Sequence, residues 1–252
     1  MLGLTELVDY CDRLLDAASF QDYCPNGLQV EGRAEVSNIV SGVTASQALI
    51  DAALQQRADL ILVHHGFFWK GEDPCLTGMK QRRLSALLAN EISLLAYHLP
   101  LDAHPRLGNN AQLAQRLGLV EEGRFGDGRG PELACYGRLQ EPLSSAELSE
   151  RIQRVLGRKP QCIAGRVGPL QRIGWCSGAA QSYLEAAARR GLDAFISGEI
   201  SEPSVHIARE YGIDYFAAGH HATERYGVQA LGECLSKEFA IEHIFIDIDN
   251  PV

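Results

Sequence analysis

The sequence predicts an α/β protein built as two similar lobes, each a mostly parallel sheet flanked by helices. Three observations predict it. Apolar strand-like runs alternate with amphipathic helical segments along most of the 252 residues. A glycine- and proline-rich stretch at 122–131, EGRFGDGRGP, interrupts the alternation, which then resumes. An apolar run ends in paired histidines in each half, LILVHHG at 60–66 and YFAAGHH at 215–221. The expected division is an N-terminal lobe over 1–121, a linker and small middle section over 122–170, and a C-terminal lobe over 171–252.

The elements follow in order. Leu7, Val8, Cys11, Leu14 and Leu15 recur at helical spacing behind Thr5, an expected N-cap. After the turn-rich YCPNG (23–27) come a strand at 36–43, a helix at 46–58 and a strand at 59–63. A helix at 82–90, a strand at 92–99 and a helix at 109–119 complete the first lobe. The middle section holds a strand at 133–139, a helix at 144–157 that opens like a capping box on Ser144 or Ser145 with Glu147, and a strand at 161–165. The last lobe reads strand 172–178, helix 181–191, strand 193–198, helix 202–212, strand 214–221, helix 223–239 and strand 241–248. Pro203 suits the first turn of its helix.

Composition excludes several classes. There are 23 Lys and Arg against 32 Asp and Glu, a net charge of −9. No basic run is present, so non-specific nucleic-acid or membrane-surface binding is disfavoured, and a small anionic substrate needs local cations or a metal. The seven cysteines form no C-x-x-C pair, which fits a reducing compartment and small buried hydrophobes rather than disulfides or a thiolate zinc site. No signal peptide or bilayer-spanning run is recognisable, and the expected location is the cytoplasm.

The histidines carry the chemistry. Three strand ends deliver His64 with His65, His98 followed by Asp102, and His220 followed by Glu224. Carboxyl ends of strands are where α/β sheets gather ligands. Imidazole and carboxylate together suit Zn, Mn, Fe, Co or Ni. Five or more such donors, with a carboxylate able to bridge, suit two cations about 3.5–4 Å apart. Adjacent His64 and His65 share a site only if the chain turns, and Gly66 permits a turn. His220 and Glu224, four apart, face one side if a helix begins promptly. His206 and His243 read as structural, whereas the roles of His104 and His221 stay open, a place behind the ligands or on the surface being favoured over a ligand.

These stretches resemble the NIF-three-like dinuclear metal-binding proteins, the bacterial GTP cyclohydrolase I type 2 homologues. The resemblance rests on NGLQVEG (26–32), DLILVHHGFFWKG (59–71), LLAYHLPLDAHPRLGNNAQLA (94–114), ISGEIS (196–201) and AAGHHATERYGVQAL (217–231), in family order over almost the whole chain. It implies His64, His65, Asp102, His220 and Glu224 as ligands of two divalent ions, with Glu224 bridging and His98 beside the site. It also implies a toroidal homohexamer with the metal sites facing an internal cavity.

Two functions are then open. One is a metal-dependent hydrolase, with His98 as proton shuttle and with Phe68, Trp69 and Lys70 holding a nucleotide or related heterocycle. The other is a non-catalytic metal-binding, metal-delivery or scaffold protein. An open, solvent-filled coordination position beside a substrate-sized pocket separates them.

Overall fold

The computed structural model describes residues 2–126, 128 and 131–252. In chain order its strands are β1 (Leu2–Gly3), β2 (Gly27–Val30), β3 (Glu35–Val36), β4 (Asn38–Thr44), β5 (Leu60–His65), β6 (Ser93–Ala96), β7 (Leu119–Phe125), β8 (Ala134–Leu143), β9 (Gln161–Ile163), β10 (Leu170–Cys176), β11 (Ala194–Ser197), β12 (Asp214–Ala217) and β13 (Glu242–Phe245). The helices are α1 (Leu4–Leu15), α2 (Gln47–Gln55), α3 (Gly78–Ala89), α4 (Leu99–Ala103), α5 (Asn109–Leu117), α6 (Ser145–Leu156), α7 (Leu184–Arg189), α8 (Glu202–Tyr211) and α9 (His220–Phe239). No described helix is long and apolar enough to cross a membrane.

The chain clusters into two compact units, and their borders differ from those that composition suggests. One unit comprises 1–108 and 225–249, the other 109–224 and 250–252. The segment 122–170 is not a separate section, because β7, β8 and β9 join the sheet of the second unit. The expected linker begins inside β7, which runs to Phe125; residues 127, 129 and 130 of that stretch lie outside the described residues.

The first unit holds a five-stranded sheet in the order β13-β4-β5-β6-β2. Its central pairs are parallel, and only β2 runs antiparallel, on the edge beside β6. Strand residues alternate between two cores, as a period of two requires. Ile39, Leu60, Leu62 and Leu95 face Leu7, Cys11, Val228 and Leu231 of α1 and α9. Val40, Ile61, Val63 and Leu94 face Leu49, Ile50 and Ala53 of α2 and Leu84 and Leu87 of α3. Each such valine, leucine or isoleucine side chain, fully buried, contributes about 1.5–3 kcal/mol. Burial on both faces is why these strands read as continuous apolar runs. Thr5 does not cap α1; Gly3 holds the N-cap position, and Thr5 lies in the first turn.

The second unit's sheet runs β7-β8-β10-β11-β12-β9. Only β10-β11 and β11-β12 are parallel, so this sheet is mixed rather than mostly parallel. Trp175, Phe125, Phe195, Tyr215 and Phe216 are fully buried in it. The capping box of α6 forms on Ser144 and Glu147. Asn110, in the first turn of α5, is buried; its Oδ1 accepts from Ser177 N (2.9 Å), its Nδ2 donates to Leu133 O (3.2 Å), and its carbonyl accepts from Trp175 Nε1 (3.1 Å). Asn110→Ala leaves Ser177 N–H and Leu133 C=O without those partners and is expected to cost about 2 kcal/mol in denaturant unfolding. A loss under about 0.5 kcal/mol contradicts this account.

The two units repeat one design. Adding 134 to residue numbers carries the β4-β5 register onto β10-β11: Ile39↔Leu60 becomes Ile173↔Ala194. For the third strand the offset is 121, so Leu60↔Ser93 becomes Ala194↔Asp214. The loops match as well. Asp59 Oδ2 accepts from Ser37 N and Asn38 N at 2.9 and 3.1 Å, and Asp193 Oδ2 from Gln171 N and Arg172 N at 2.9 and 2.8 Å. Arg33 pairs with Asp59, as Arg166 does with Asp193. Gly32 and Gly165 occupy matching crossings, where a Cβ would lie 2.3 Å from Glu91 O or 2.2 Å from Ala208 O. The paired histidines do not match: His64 and His65 end a strand, whereas His220 and His221 open α9 after β12 has ended at Ala217.

Candidate metal centre

In the first unit, β5 runs through both histidines to the last ladder pair, Thr44↔His65. Their side chains leave opposite faces, yet the rings come together at the strand end, with centroids 4.6 Å apart. The backbone bends one step later than expected. Phe68, not Gly66, takes a positive φ (65°), while Gly66 is small because a Cβ would meet Gln29 Oε1 at 2.2 Å. Gln29 Oε1 accepts from Phe67 N at 2.6 Å and fixes that close approach. The His98 ring lies 5.1 Å from that of His64 and 5.7 Å from that of His65. One donor atom from each of the three lies within 4.8 Å of the others.

Each ring is aimed through Nδ1. His64 Nδ1 meets the carbonyl of Tyr97 at 2.9 Å, His65 Nδ1 meets Thr44 Oγ1 at 3.2 Å, and His98 Nδ1 meets Asp22 Oδ1 at 2.7 Å. A metal-ligating histidine is oriented in this way, with one ring nitrogen held by the protein and the other turned to the ion. His64 Nε2 stands 3.5 Å from Asp102 Oδ1. That is too long for a good hydrogen bond. Two ligands of one tetrahedral ion, each about 2.0–2.1 Å from it, are about 3.3 Å apart.

Asp22 is the carboxylate that sequence reading misses in this unit. Its Oδ1 also accepts from Tyr23 N (2.6 Å), and its Oδ2 accepts from Leu99 N and Asn26 Nδ2 (both 2.9 Å). Burial pushes its pKa up, but His98 and these donors outweigh burial and bring it down to about 2. Asp22, Cys24 and His98 form a second donor group. Chemistry argues against an ion there: four hydrogen bonds engage Asp22, and burial with the Asp22 charge pushes the Cys24 thiol up to about 12. A cavity of about 510 Å³ borders Asp22, lined also by Asp12, Arg13, Asp16, Phe20 and Asn26.

In the second unit, α9 begins at His220, so His220 and Glu224 share a helix face one turn apart. His220 Nε2 is 3.1 Å from Glu224 Oε2, and its Nδ1 is 2.7 Å from Glu199 Oε1. Burial lowers the pKa of His220, but Glu224 and Glu199 outweigh it and raise it to about 9. Glu224 is 3% exposed. Gly178, at φ 65°, lies against it: a Cβ there would stand 2.1 Å from Glu224 Oε1. Sequence spacing assigns Glu199 no role. The internal repeat is the signal that finds it, since 65 + 134 = 199 places Glu199 at the counterpart of His65.

The remaining residues sort plainly. The Trp69 ring packs at 5.9 Å from His65 and 5.1 Å from His98, and its Nε1 donates to Gly66 O. Phe68 is exposed, with Lys80 Nζ 5.3 Å above its ring, and Lys70 is exposed. His104 Nδ1 accepts from Leu107 N at 3.0 Å and braces a turn, and His221 is buried. His243 bonds Ser41 Oγ at 2.7 Å, and His206 pairs with Glu202 at 3.1 Å on the surface; both match their structural reading. All seven cysteines are free, but Cys75 and Cys162 are exposed rather than buried.

Comparison with known proteins agrees with this fold. Residues 2–251 match the sequence profile of Duf34/NIF3 (NGG1p interacting factor 3). A Pseudomonas aeruginosa protein named "GTP cyclohydrolase 1 type 2 homolog" is 59% identical over 251 residues, covering 99% of both chains. An Escherichia coli protein of the same name is 52% identical, covering 98% of both. A solved structure titled "Structural genomics, protein ybgI, unknown function" superposes with a TM-score of 0.96 at 50% identity over the full length of both chains. TTHA1606 from Thermus thermophilus gives a TM-score of 0.88 at 33% identity, again over the full length of both chains. With the profile spanning nearly every residue, the chain belongs to the DUF34/NIF3 family.

Proposed function

We propose that the protein is a metal-dependent hydrolase holding two divalent cations through His64, His65, Asp102, His220 and Glu224, with Glu224 as the bridging carboxylate. The observation that supports it most is the spacing of Nε2 and carboxylate oxygen in each unit, 3.5 Å for His64 and Asp102 and 3.1 Å for His220 and Glu224. Such spacings suit two ligands of one ion. When bound, a pair of divalent cations supplies Lewis acidity and a water-derived nucleophile at neutral pH.

The chain's own residues do the rest. Asp22 holds His98 by Nδ1, which keeps the imidazole beside His64 and His65 as a proton shuttle. Trp69 walls that side, the exposed Lys70 adds positive charge next to it, and Lys80 lies over the Phe68 ring while paired with Glu72. A nucleotide or related heterocycle fits this aromatic and basic side better than the cavity at Asp22, where three carboxylates would repel a phosphate. The assembly proposed is the toroidal homohexamer, read by light scattering of the untagged protein.

Elemental analysis should find about two divalent ions per chain, falling to about one or fewer in His64→Ala and Glu224→Gln and unchanged in His206→Ala. A hydrolase screen with those ions restored should give an activity lost on chelation. Trp69→Ala should keep the metals and raise KM several-fold. A full metal complement in His64→Ala defeats the ligand set. Stoichiometric metal without any turnover favours the metal-delivery reading.

A further inference from the structure

The candidate ligand imidazoles of the two units are not backed alike. Those of His64 and His65 rest on neutral acceptors, a carbonyl and a hydroxyl, whereas that of His220 rests on a carboxylate. We infer that Glu199 is the positioning residue of His220, fixing its proton on Nδ1 and turning Nε2 toward Glu224. The inference rests on His220 being a ligand, as proposed above.

The surroundings of Glu199 suit that role. It lies two residues beyond the end of β11, at the point where the first unit places His65. Its backbone is held on both sides: the carbonyl accepts from the Tyr215 hydroxyl, and the N–H donates to Gly178 O at 3.3 Å. Gly178 is also the residue against which Glu224 packs, and Gly178 N donates to Thr223 Oγ1 at 3.0 Å. Thr223 is fully buried in the first turn of α9, and its Oγ1 donates to the carbonyls of Gly219 and His220. One backbone point therefore registers the ligand helix and the carboxylate behind its histidine. A carboxylate behind a ligating imidazole raises its basicity and locks its ring, and losing one typically weakens metal binding 10- to 100-fold. A surface ion pair with an imidazolium would leave metal affinity unchanged.

The test measures zinc affinity of the full chain by competition with a chromogenic chelator, and the visible spectrum of the cobalt-loaded protein. Glu199→Gln keeps an acceptor oxygen and removes the charge, so it should weaken zinc binding about 10- to 100-fold and shift the cobalt bands. Thr44→Val, behind His65, should change affinity less. If Glu199→Gln does not fold by circular dichroism, Glu199→Asp decides in its place, with at least a fivefold loss expected because the shorter carboxylate cannot reach Nδ1. Affinity within twofold of wild type in the folded variant overturns the positioning role. Equal zinc uptake by wild type and His220→Ala would instead overturn His220 as a ligand, and that result is read independently of Glu199.

Discussion

Gly178→Ala is expected to strip metal from the protein while leaving it folded. Two costs combine. A side chain in the left-handed region at φ 65° costs about 1–2 kcal/mol. The added Cβ would also lie 2.1 Å from Glu224 Oε1 and 3.3 Å from His220 Nε2. Glu224 is 3% exposed and lies one turn into α9, so it cannot swing into solvent without moving the helix start. The carboxylate must leave its place beside His220, and metal affinity should fall by more than tenfold. Gly157→Ala is the matched control. Its φ is 70°, at the C-cap of α6, and a methyl added there would meet nothing within 4 Å. That variant should bear the backbone cost alone and keep its metal. Thermal unfolding and elemental analysis of the pair separate the two costs; equal metal content in both variants would refute the contact with Glu224.

What was legible in the sequence follows from which forces are local. Strands β4, β5, β10 and β11 were readable because burial on both faces writes continuous apolar runs. The Ser144 capping box was readable because its partners lie three residues apart. The grouping of His64, His65 and His98 was readable from strand ends alone. Other features depend on long-range pairing. The edge strand β2 is four residues long, and its register is set by β6. Strand β7 carries Glu121, Glu122 and Arg124, and its Gly123, with the glycines that follow in sequence, imitates a linker. Asp22 reaches His98 across 76 positions, and Glu199 reaches His220 across 21. No local period marks either carboxylate. Only the internal repeat gives Glu199 away, and a repeat whose third strand shifts offset from 134 to 121 is hard to see without the register.

The repeated loop yields the other large effect. Asp59 is 7% exposed and accepts from Ser37 N, Ser37 Oγ, Asn38 N and Arg33 Nη1 at 2.8–3.1 Å. It ties the start of β4 to the start of β5, beneath strands that deliver His64 and His65 at their far ends. Asp59→Ala leaves two backbone N–H groups and a hydroxyl without this acceptor, a loss of about 3 kcal/mol. Burial pushes the Asp59 carboxyl up, but the bonds from Ser37 and Asn38 and the Arg33 charge outweigh it and hold the pKa below the ordinary carboxylate value. A pKa lowered on folding stabilises above the unfolded value, about 3.9, and that contribution is lost as pH falls through the folded value. The stability gap between wild type and Asp59→Ala should therefore be constant from about pH 5 to 7 and narrow below about pH 4, as wild type loses what the variant never had. Urea unfolding of metal-free protein at about pH 7 and about pH 3 reads the gap directly. A gap of the same size at both would mean that the carboxylate stabilises this crossing by shape alone.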